Sequence, residues 1–461
     1  LDQAVSVLRG EPGSKVTITV RRTGINEPIS YTITREIIEI KAVPFSGILR
    51  DGIGYIRLNA FSQNAGNEVR SHIETLLEKD IKGLVFDLRH NPGGLLPQAI
   101  EVASAFIPKN KMVVYTRGRS PGQNKEFTNP VKPAVPEDMP VAILVNQASA
   151  SASEIVSGAV QDWDRGVIIG DTTFGKGSVQ SIIPIKDHHL KLTTAFYYTP
   201  SGRCINKPKN DIQSDDEDDS LFTQRFLRET EEEKDTIAND TLQKTESDTA
   251  DSSNIFRTHN GRIVYGGGGI VPDTIVTQYE YSGLLRSLFV KDAFFTFANY
   301  YYPILQKENV PVDTSFTITD DMVVTFRDFL DSIDYELKTP VQHAFTRFTR
   351  RAGIANTEDT SGIDADSLYL SSTERERLTA LTAQIDSILN GEVTNEFRIH
   401  DDAIKDFIKK ALLVRKHGEY HEVVFREKFD HDRQLSTALY LLTNRTLYSK
   451  LLSPQDKTAQ N

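Results

Sequence analysis

The sequence predicts an α/β core joined to a helical C-terminal region. Between residues 53 and 169, short apolar runs alternate with helix-spaced patterns, which is how parallel βαβ units read. Beyond residue 281 the strand-like runs give way to apolar residues at helical spacing. The composition, 38% hydrophobic and 25% charged, is that of an ordinary globular protein, and its length leaves room for about three domains.

Residues 1–9 form a short amphipathic pattern, with Leu1, Ala4, Val5 and Leu8 on one face, stopped by Gly10. Val16–Arg22 and Ile29–Arg35 alternate as two strands about a turn at Thr23-Gly24. The core then opens with a strand at Ile53–Leu58, a helix at Val69–Leu77 and an apolar strand at Gly83–Leu88. A helix near Pro97–Phe106, strands at Met112–Tyr115 and Val141–Val145, a helix over 152–162 and a strand at 167–169 complete the alternation. Lys191–Thr199 reads as a further strand before a turn at Pro200-Ser201-Gly202. An insertion of about 60 residues follows, a loop length that signals function or disorder. Its run of Asp215, Asp216, Glu217, Asp218 and Asp219 predicts a mobile, solvated acidic segment at about 207–258. It lacks the spacing and glycine of a calcium loop. In the helical region Val323, Phe326 and Leu330 share a face, as do Leu378, Leu381, Ile385 and Ile388 up to Gly391, and Ile404, Phe407, Ile408, Ala411 and Leu412. We read these stripes as helix–helix core.

Global features exclude several classes. A net charge of −11 argues against broad nucleic-acid binding. One cysteine, Cys204, cannot form an internal disulfide or a cysteine-based zinc site, and reads as a small packed hydrophobe. No apolar run approaches the ~18 residues of a membrane span. The chain opens with Leu1 in mid-pattern, so we read it as a fragment that lacks its natural N-terminus.

The chemistry concentrates in NQASASASE (146–154) and FGKGSVQ (174–180). A strand stops at Asn146, small residues follow, and a helix starts near Ser151. A serine hydroxyl is a weak nucleophile and needs a base within hydrogen-bond reach. A lysine serves only when neutral, and burial in an apolar pocket favours that form. Lys176, between two glycines, is the candidate base. The N–H of Ala152, at the helix start, is a candidate oxyanion donor. Equally, Ser151 and Glu154 have the spacing of a capping box, and Lys176 could be a solvated charge or an anion ligand in a glycine turn. Asn91-Pro92-Gly93-Gly94 follows a strand end, where glycines either expose backbone N–H groups to a ligand or simply make a turn. His90 in that loop reads as a partly exposed polar residue.

Five motifs, NQASASASE, FGKGSVQ, DLRHNPGG (87–94), YYTPSGR (197–203) and GGGGIVPD (266–273), occur in the order found in the C-terminal processing (tail-specific) serine proteases. The resemblance spans roughly residues 1–280. It implies a core of the ββα spiral type related to the crotonase and ClpP folds. It also implies Ser151 as nucleophile, Lys176 as base, and Gln180 as the residue that holds the amine. Ala152 and either Gly93 or Gly94 would supply the oxyanion contacts. Glu154 and Asp162 are candidate supporting residues; from the sequence itself we read Glu154 mainly as a cap and Asp162 mainly as a structural residue, a helix-end partner for Arg165. The helix and hairpin of residues 1–38 would be the last part of a PDZ domain, residues 39–280 the protease core and residues 281–461 a helical C-terminal domain of the kind that assists oligomerisation or covers the core. The insertion before GGGGI suggests a Bacteroidetes-like member.

The function implied is a serine endopeptidase acting near the C-termini of proteins with unstructured, apolar tails, in the periplasm or cell envelope, without metal or organic cofactor and with a homo-oligomer in prospect. Two alternatives stay open. One is a Ser–His hydrolase of the tricorn type, with His188 or His189 as base. The other is a non-catalytic binder of hydrophobic ligands or peptides on the same core.

Overall fold

The computed structural model describes residues 2–21, 27–37, 41–186, 188–207, 254–277, 282–333, 335, 340–351, 371–418, 421–430 and 432–454. Most of the acidic insertion, 208–253, therefore lies outside the described residues. The chain divides into two compact units, one of Leu1–Ile37 with Tyr279–Lys428 and one of Ile38–Gln278 with Phe429–Asn461.

In the first unit, helix α1 (Asp2–Leu8) precedes the antiparallel hairpin of β1 (Lys15–Val20) and β2 (Ile29–Thr34). The second unit is built on a six-stranded sheet. It comprises β3 (Phe45–Ile48), β4 (Ile53–Arg57), β5 (Gly83–Asp87), β8 (Val141–Val145), β9 (Val167–Gly170) and β14 (Thr274–Ile275), in the order β14-β9-β8-β5-β4-β3. All neighbours are parallel except β3, which pairs antiparallel with β4. Helices α2 (Ala65–Leu77), α3 (Leu96–Ser104) and α4 (Ala152–Asp162) are its crossovers. A second, antiparallel sheet contains β6 (Met112–Gly118), β7 (Lys125–Thr128), β10 (Ser178–Ile185) and β11 (His188–Tyr198), in the order β10-β11-β6-β7. A two-stranded piece, β12 (Ile255–Arg257) with β13 (Ile263–Tyr265), completes the unit's strands.

Side chains alternate across the parallel strands, so each strand feeds two cores. Ile56, Leu84, Phe86, Ile143, Val145 and Ile168 pack with residues of α2, α3 and α4. Their neighbours Ile53, Tyr55, Val85, Ala142, Leu144, Val167 and Ile169 face the other way. A parallel sheet needs cover on both faces, and here the second cover comes from the end of the chain.

The helical unit supplies α5 (Gly283–Val290), α6 (Ala293–Lys307), α7 (Asp320–Ser332), α8 (Pro340–Arg351), α9 (Ser372–Ile399), α10 (Asp401–His417) and α11 (Glu422–Asp430). The chain then returns to the sheet as α12 (Arg433–Thr443) and α13 (Arg445–Leu451). Leu435, Ala438, Leu439, Leu441, Leu442 and Tyr448 pack on the second sheet face. The Tyr448 hydroxyl donates to the Val141 carbonyl at 3.0 Å and accepts from its N–H at 2.9 Å. The expectation drew 281–461 together as one helical domain; by packing, residues 429–461 group with the sheet. The helical unit ends at Lys428, and the remainder belongs with the core.

Two of the three helical stripes are core. Val323, Phe326 and Leu330 are buried, as are Ile404, Ile408 and Leu412. The third is not. Leu381, Ile385 and Ile388 are exposed, and α9 runs through Gly391 to Ile399. One glycine costs a long helix only about 1 kcal/mol, too little to stop it. Helical spacing marks a face but not what covers it.

Candidate active site

Strand β8 ends at Val145, and the chain turns through residues 146–151 into α4. Three serines alternate with alanines here, and the fold gives them different tasks. Ser149 and Ser153 are fully buried. Ser149 Oγ donates to the Leu88 carbonyl at 2.8 Å, and Ser153 Oγ donates to that of Asn91 at 2.9 Å. Both hydroxyls pin the turn to the loop after β5. Ser151, between them, is only half-buried. It has φ 54° and ψ −109°, a conformation that a non-glycine residue adopts at a cost of ~1–3 kcal/mol. The pair Ser151–Glu154 has the layout of a capping box, yet the hydroxyl makes no capping hydrogen bond. Instead the Glu154 N–H goes to the Ser151 carbonyl at 2.9 Å.

Glycine 93 adjoins this turn. With φ 102°, it is so close that a methyl group in its place would lie 2.9 Å from Ser151 Cβ, 2.9 Å from the Ala152 nitrogen and 2.8 Å from the Ala150 carbonyl oxygen. The missing side chain therefore leaves space in front of the Ala152 N–H. Among the described residues that N–H has no acceptor, as expected for the first donor of a helix. Of the two glycines named for the second oxyanion contact, Gly93 has its N–H committed to Asn91 Oδ1 at 2.9 Å. This removes Gly93 as a donor in this structure. The Gly94 N–H has no acceptor among the described residues.

Lysine 176 departs from expectation. Its side chain is exposed, not enclosed in an apolar pocket, and among the described residues no hydrogen bond joins its amine to the Ser151 hydroxyl. Gln180 is also exposed and makes no hydrogen bond to Lys176 among them. The physical reason lies in the loop: residues 173–177 are held by main-chain contacts that leave the side chain of 176 pointing away from the packed surface. Phe174 N–H goes to the Ser149 carbonyl at 3.0 Å. Gly177 N–H goes to Asn206 Oδ1 at 3.2 Å. The Tyr197 N–H goes to the Gly177 carbonyl at 2.7 Å.

The rest of that anchorage is Glu154, which is fully buried. Its Oε2 accepts from the N–H groups of Ser151 at 2.7 Å and Lys176 at 2.9 Å. Its Oε1 accepts from Thr173 Oγ1 at 2.6 Å and the Gly175 N–H at 2.7 Å. Burial pushes this carboxyl upward in pKa, against the pull of those four donors. Sequence spacing pointed to Glu154 as a cap; the loop donors were invisible because they come from a segment brought in by the fold.

Asp162 sits at the far end of α4 from Ser151. It does not pair with Arg165, whose guanidinium caps the carbonyls of Met139 and Pro136. Asp162 instead pairs with buried Arg203 at 2.5 Å and accepts from the Ser201 N–H at 2.8 Å, so it fixes the YYTPSGR turn. The DLRHN segment is structural in the same sense. Asp87 accepts from Tyr55 at 2.7 Å and pairs with Arg89 at 2.6 Å. Arg89 in turn reaches Asp432 at 2.7 Å. His90 is exposed and touches Asn146. His188 and His189 are exposed at the start of β11.

Comparison with known proteins finds relatives for two segments of the chain. Residues 52–217 match the model of Peptidase family S41, and residues 284–442 match that of a probable PDZ-protease C-terminal helical domain. A carboxy-terminal-processing protease of Bartonella bacilliformis is 44% identical over 210 residues, covering 44% of this chain and 48% of the relative. A carboxyl-terminal-processing protease of Synechocystis sp. is 39% identical over 213 residues, covering 45% and 48%. The chain thus spans about half the length of the curated relatives it matches. The solved structure of a photosystem II D1 C-terminal processing protease is 28% identical over 43% of this chain and 54% of its own, with a TM-score of 0.32. The motif-bearing turn lies within the segment, residues 52–217, that is similar to peptidase family S41.

Proposed function

We propose that this protein is a serine endopeptidase that cleaves protein substrates near their C-termini, with Ser151 as nucleophile and Lys176 as general base. The observation that carries the reading is the Ser151 turn. Among the described residues Ser149 and Ser153 commit their hydroxyls to carbonyls while Ser151 makes no side-chain capping bond; it lies in a strained conformation, beside an Ala152 N–H that has no acceptor among those residues and the space left by Gly93.

The hydroxyl attacks the scissile carbonyl while the neutral Lys176 amine takes its proton. The Ala152 and Gly94 N–H groups stabilise the oxyanion. The lysine returns the proton to the leaving amine and then activates the water that clears the acyl-enzyme. A lysine amine serves as a base only in its neutral form, which burial favours. A substrate segment lying over the Ser151 turn supplies that burial, and the exposed side chain of residue 176 has the freedom to turn toward residue 151. Gln180 steadies the amine in that arrangement. No step calls for a metal or organic cofactor.

Unstructured, apolar C-terminal tails are the substrates this reading favours, and the periplasm or cell envelope is the compartment. Among the described residues no helix is long and apolar enough to cross a membrane. Residues 1–38 are the remainder of a PDZ domain on this reading, and the helical unit is the part available for self-association.

The exposed Lys176 favours a second reading, a non-catalytic peptide binder on the same core. One experiment separates the two. Hydrolysis of an unfolded protein, together with fluorophosphonate labelling, is measured in the wild type, Ser151→Ala and Lys176→Ala. Cleavage lost in both variants supports the protease. Binding without cleavage in all three supports the binder. Cleavage that survives Lys176→Ala but is lost on changing His188 and His189 would transfer the base to a histidine.

A further inference from the structure

We propose that Glu154, acting with Thr173, is a positioning residue that locks the loop carrying Lys176 onto the turn carrying Ser151 and ties both to residues 269–270. The inference rests on the reading of Ser151 and Lys176 as nucleophile and base.

An ordinary helix-capping glutamate satisfies one donor, the N-cap N–H. Glu154 accepts that bond from Ser151 and three more from Thr173, Gly175 and Lys176. Those three come from a segment that is not part of α4, so local helix chemistry does not call for them. A buried carboxylate without a cationic partner is expensive unless hydrogen bonds fill its lone pairs, and among the described residues no ion pair involves Glu154. The same oxygen, Oε2, receives the N–H groups of residues 151 and 176. One atom therefore sets the spacing between the two main-chain positions that bear the reacting side chains. Because the Lys176 side chain is exposed, it does not itself hold the loop; the main chain is anchored while the amine remains free to swing.

Thr173 extends the connection. Its hydroxyl donates to Glu154 Oε1 at 2.6 Å and accepts from the Ile270 N–H at 2.7 Å. The Thr173 N–H goes to the Ile270 carbonyl at 3.1 Å. The GGGGI segment is thus joined to the site by a continuous relay, from Ile270 through Thr173 to Glu154. A displacement of that segment would be felt at the base-bearing loop.

The test compares wild type with Glu154→Gln, Thr173→Val and Thr173→Ser. Amide hydrogen exchange of residues 173–177 is followed by mass spectrometry, and kcat and KM are measured on an unfolded substrate. Glutamine replaces one acceptor by an NH2 group facing N–H donors, and valine removes the hydroxyl while keeping the shape. Both variants should raise exchange in 173–177 and lower kcat by about tenfold or more, the loss of one or two charge-assisted bonds, with KM within about twofold. Thr173→Ser should regain most of both. Wild-type exchange and kcat in Thr173→Val, or no recovery in Thr173→Ser, would overturn the proposal. Should Glu154→Gln not fold, the two Thr173 variants decide alone. Exchange that behaves as stated in a wild type without peptidase activity would sustain the lock and remove only the protease reading.

Discussion

Gly93 lies against Ala152 so closely that the glycine's absent side chain defines the space in front of the alanine N–H. A methyl group there would come within 2.9 Å of the Ala152 nitrogen, on a backbone with φ 102° that already disfavours any other residue. Gly93→Ala should therefore both fill the oxyanion space and push the Ser151 turn. Loss of one oxyanion donor costs about 10²–10³ in kcat. We expect kcat to fall at least that far, with fluorophosphonate labelling of Ser151 slowed in parallel. Near-normal kcat in a folded Gly93→Ala protein would remove this space from the reaction.

Lys176→Ala separates chemistry from folding. The side chain is exposed and its loop is held through main-chain groups. The expected change in stability is within about 0.5 kcal/mol, as for other surface substitutions, while peptide hydrolysis is lost. Thermal unfolding and turnover measured on the same sample check both halves. A large drop in unfolding temperature would mean that the amine has a packing role not seen here.

Asp87 predicts how the core responds to acid. Burial alone would raise its carboxyl, but the Arg89 guanidinium and the bonds from Arg89 and Tyr55 outweigh that and hold it well below the usual carboxylate range. A depressed folded-state pKa contributes stability that is fully present above the unfolded value, near 4, and is lost only as pH falls through the folded value. The pair should thus contribute fully at pH 5 to 7 and fail only in strong acid. Arg89→Met leaves the buried carboxylate without its main partner, which costs about 3–5 kcal/mol at neutral pH. The variant's deficit should shrink on acidification as Asp87 takes up a proton. Urea unfolding at pH 7 and pH 4 measures it, and a deficit that grows toward pH 4 contradicts the assignment.

Leu435, fully buried on the second sheet face, tests whether the end of the chain belongs to the core. Leu435→Ala should destabilise the sheet by about 2–5 kcal/mol. Hydrogen exchange of β5 and β8 should rise, with that of α6 and α10 unchanged. The reverse pattern would assign α12 to the helical unit.

Much of the core was legible in the sequence because parallel strands buried on both faces read as continuous apolar runs, as at Gly83–Asp87 and Val141–Val145. The turn at Ser151 was legible from its small residues and from the resemblance. What was hidden depends on partners distant along the chain. The stripe of Leu435, Leu439 and Leu442 looks like that of Leu381, Ile385 and Ile388, yet the first is buried under a sheet and the second is exposed. Asp162 was matched with Arg165 by proximity in sequence, whereas the turn at 199–203 delivers Arg203 to it. The exposure of Lys176 could not be read at all, since a lysine between glycines has the same spelling whether wet or dry.

The closing of the sheet by Leu435 and Tyr448 also has a bearing on biosynthesis. A ribosome delivers residues 53–278 early, but the second face of their sheet stays bare until the helical unit has been made and α12 and α13 emerge. Domains fold as they leave the ribosome, and this sheet cannot seal until residues 433–451 have followed it. The sheet that carries the Ser151 turn therefore gains its second cover only once residues 433–451 have been made.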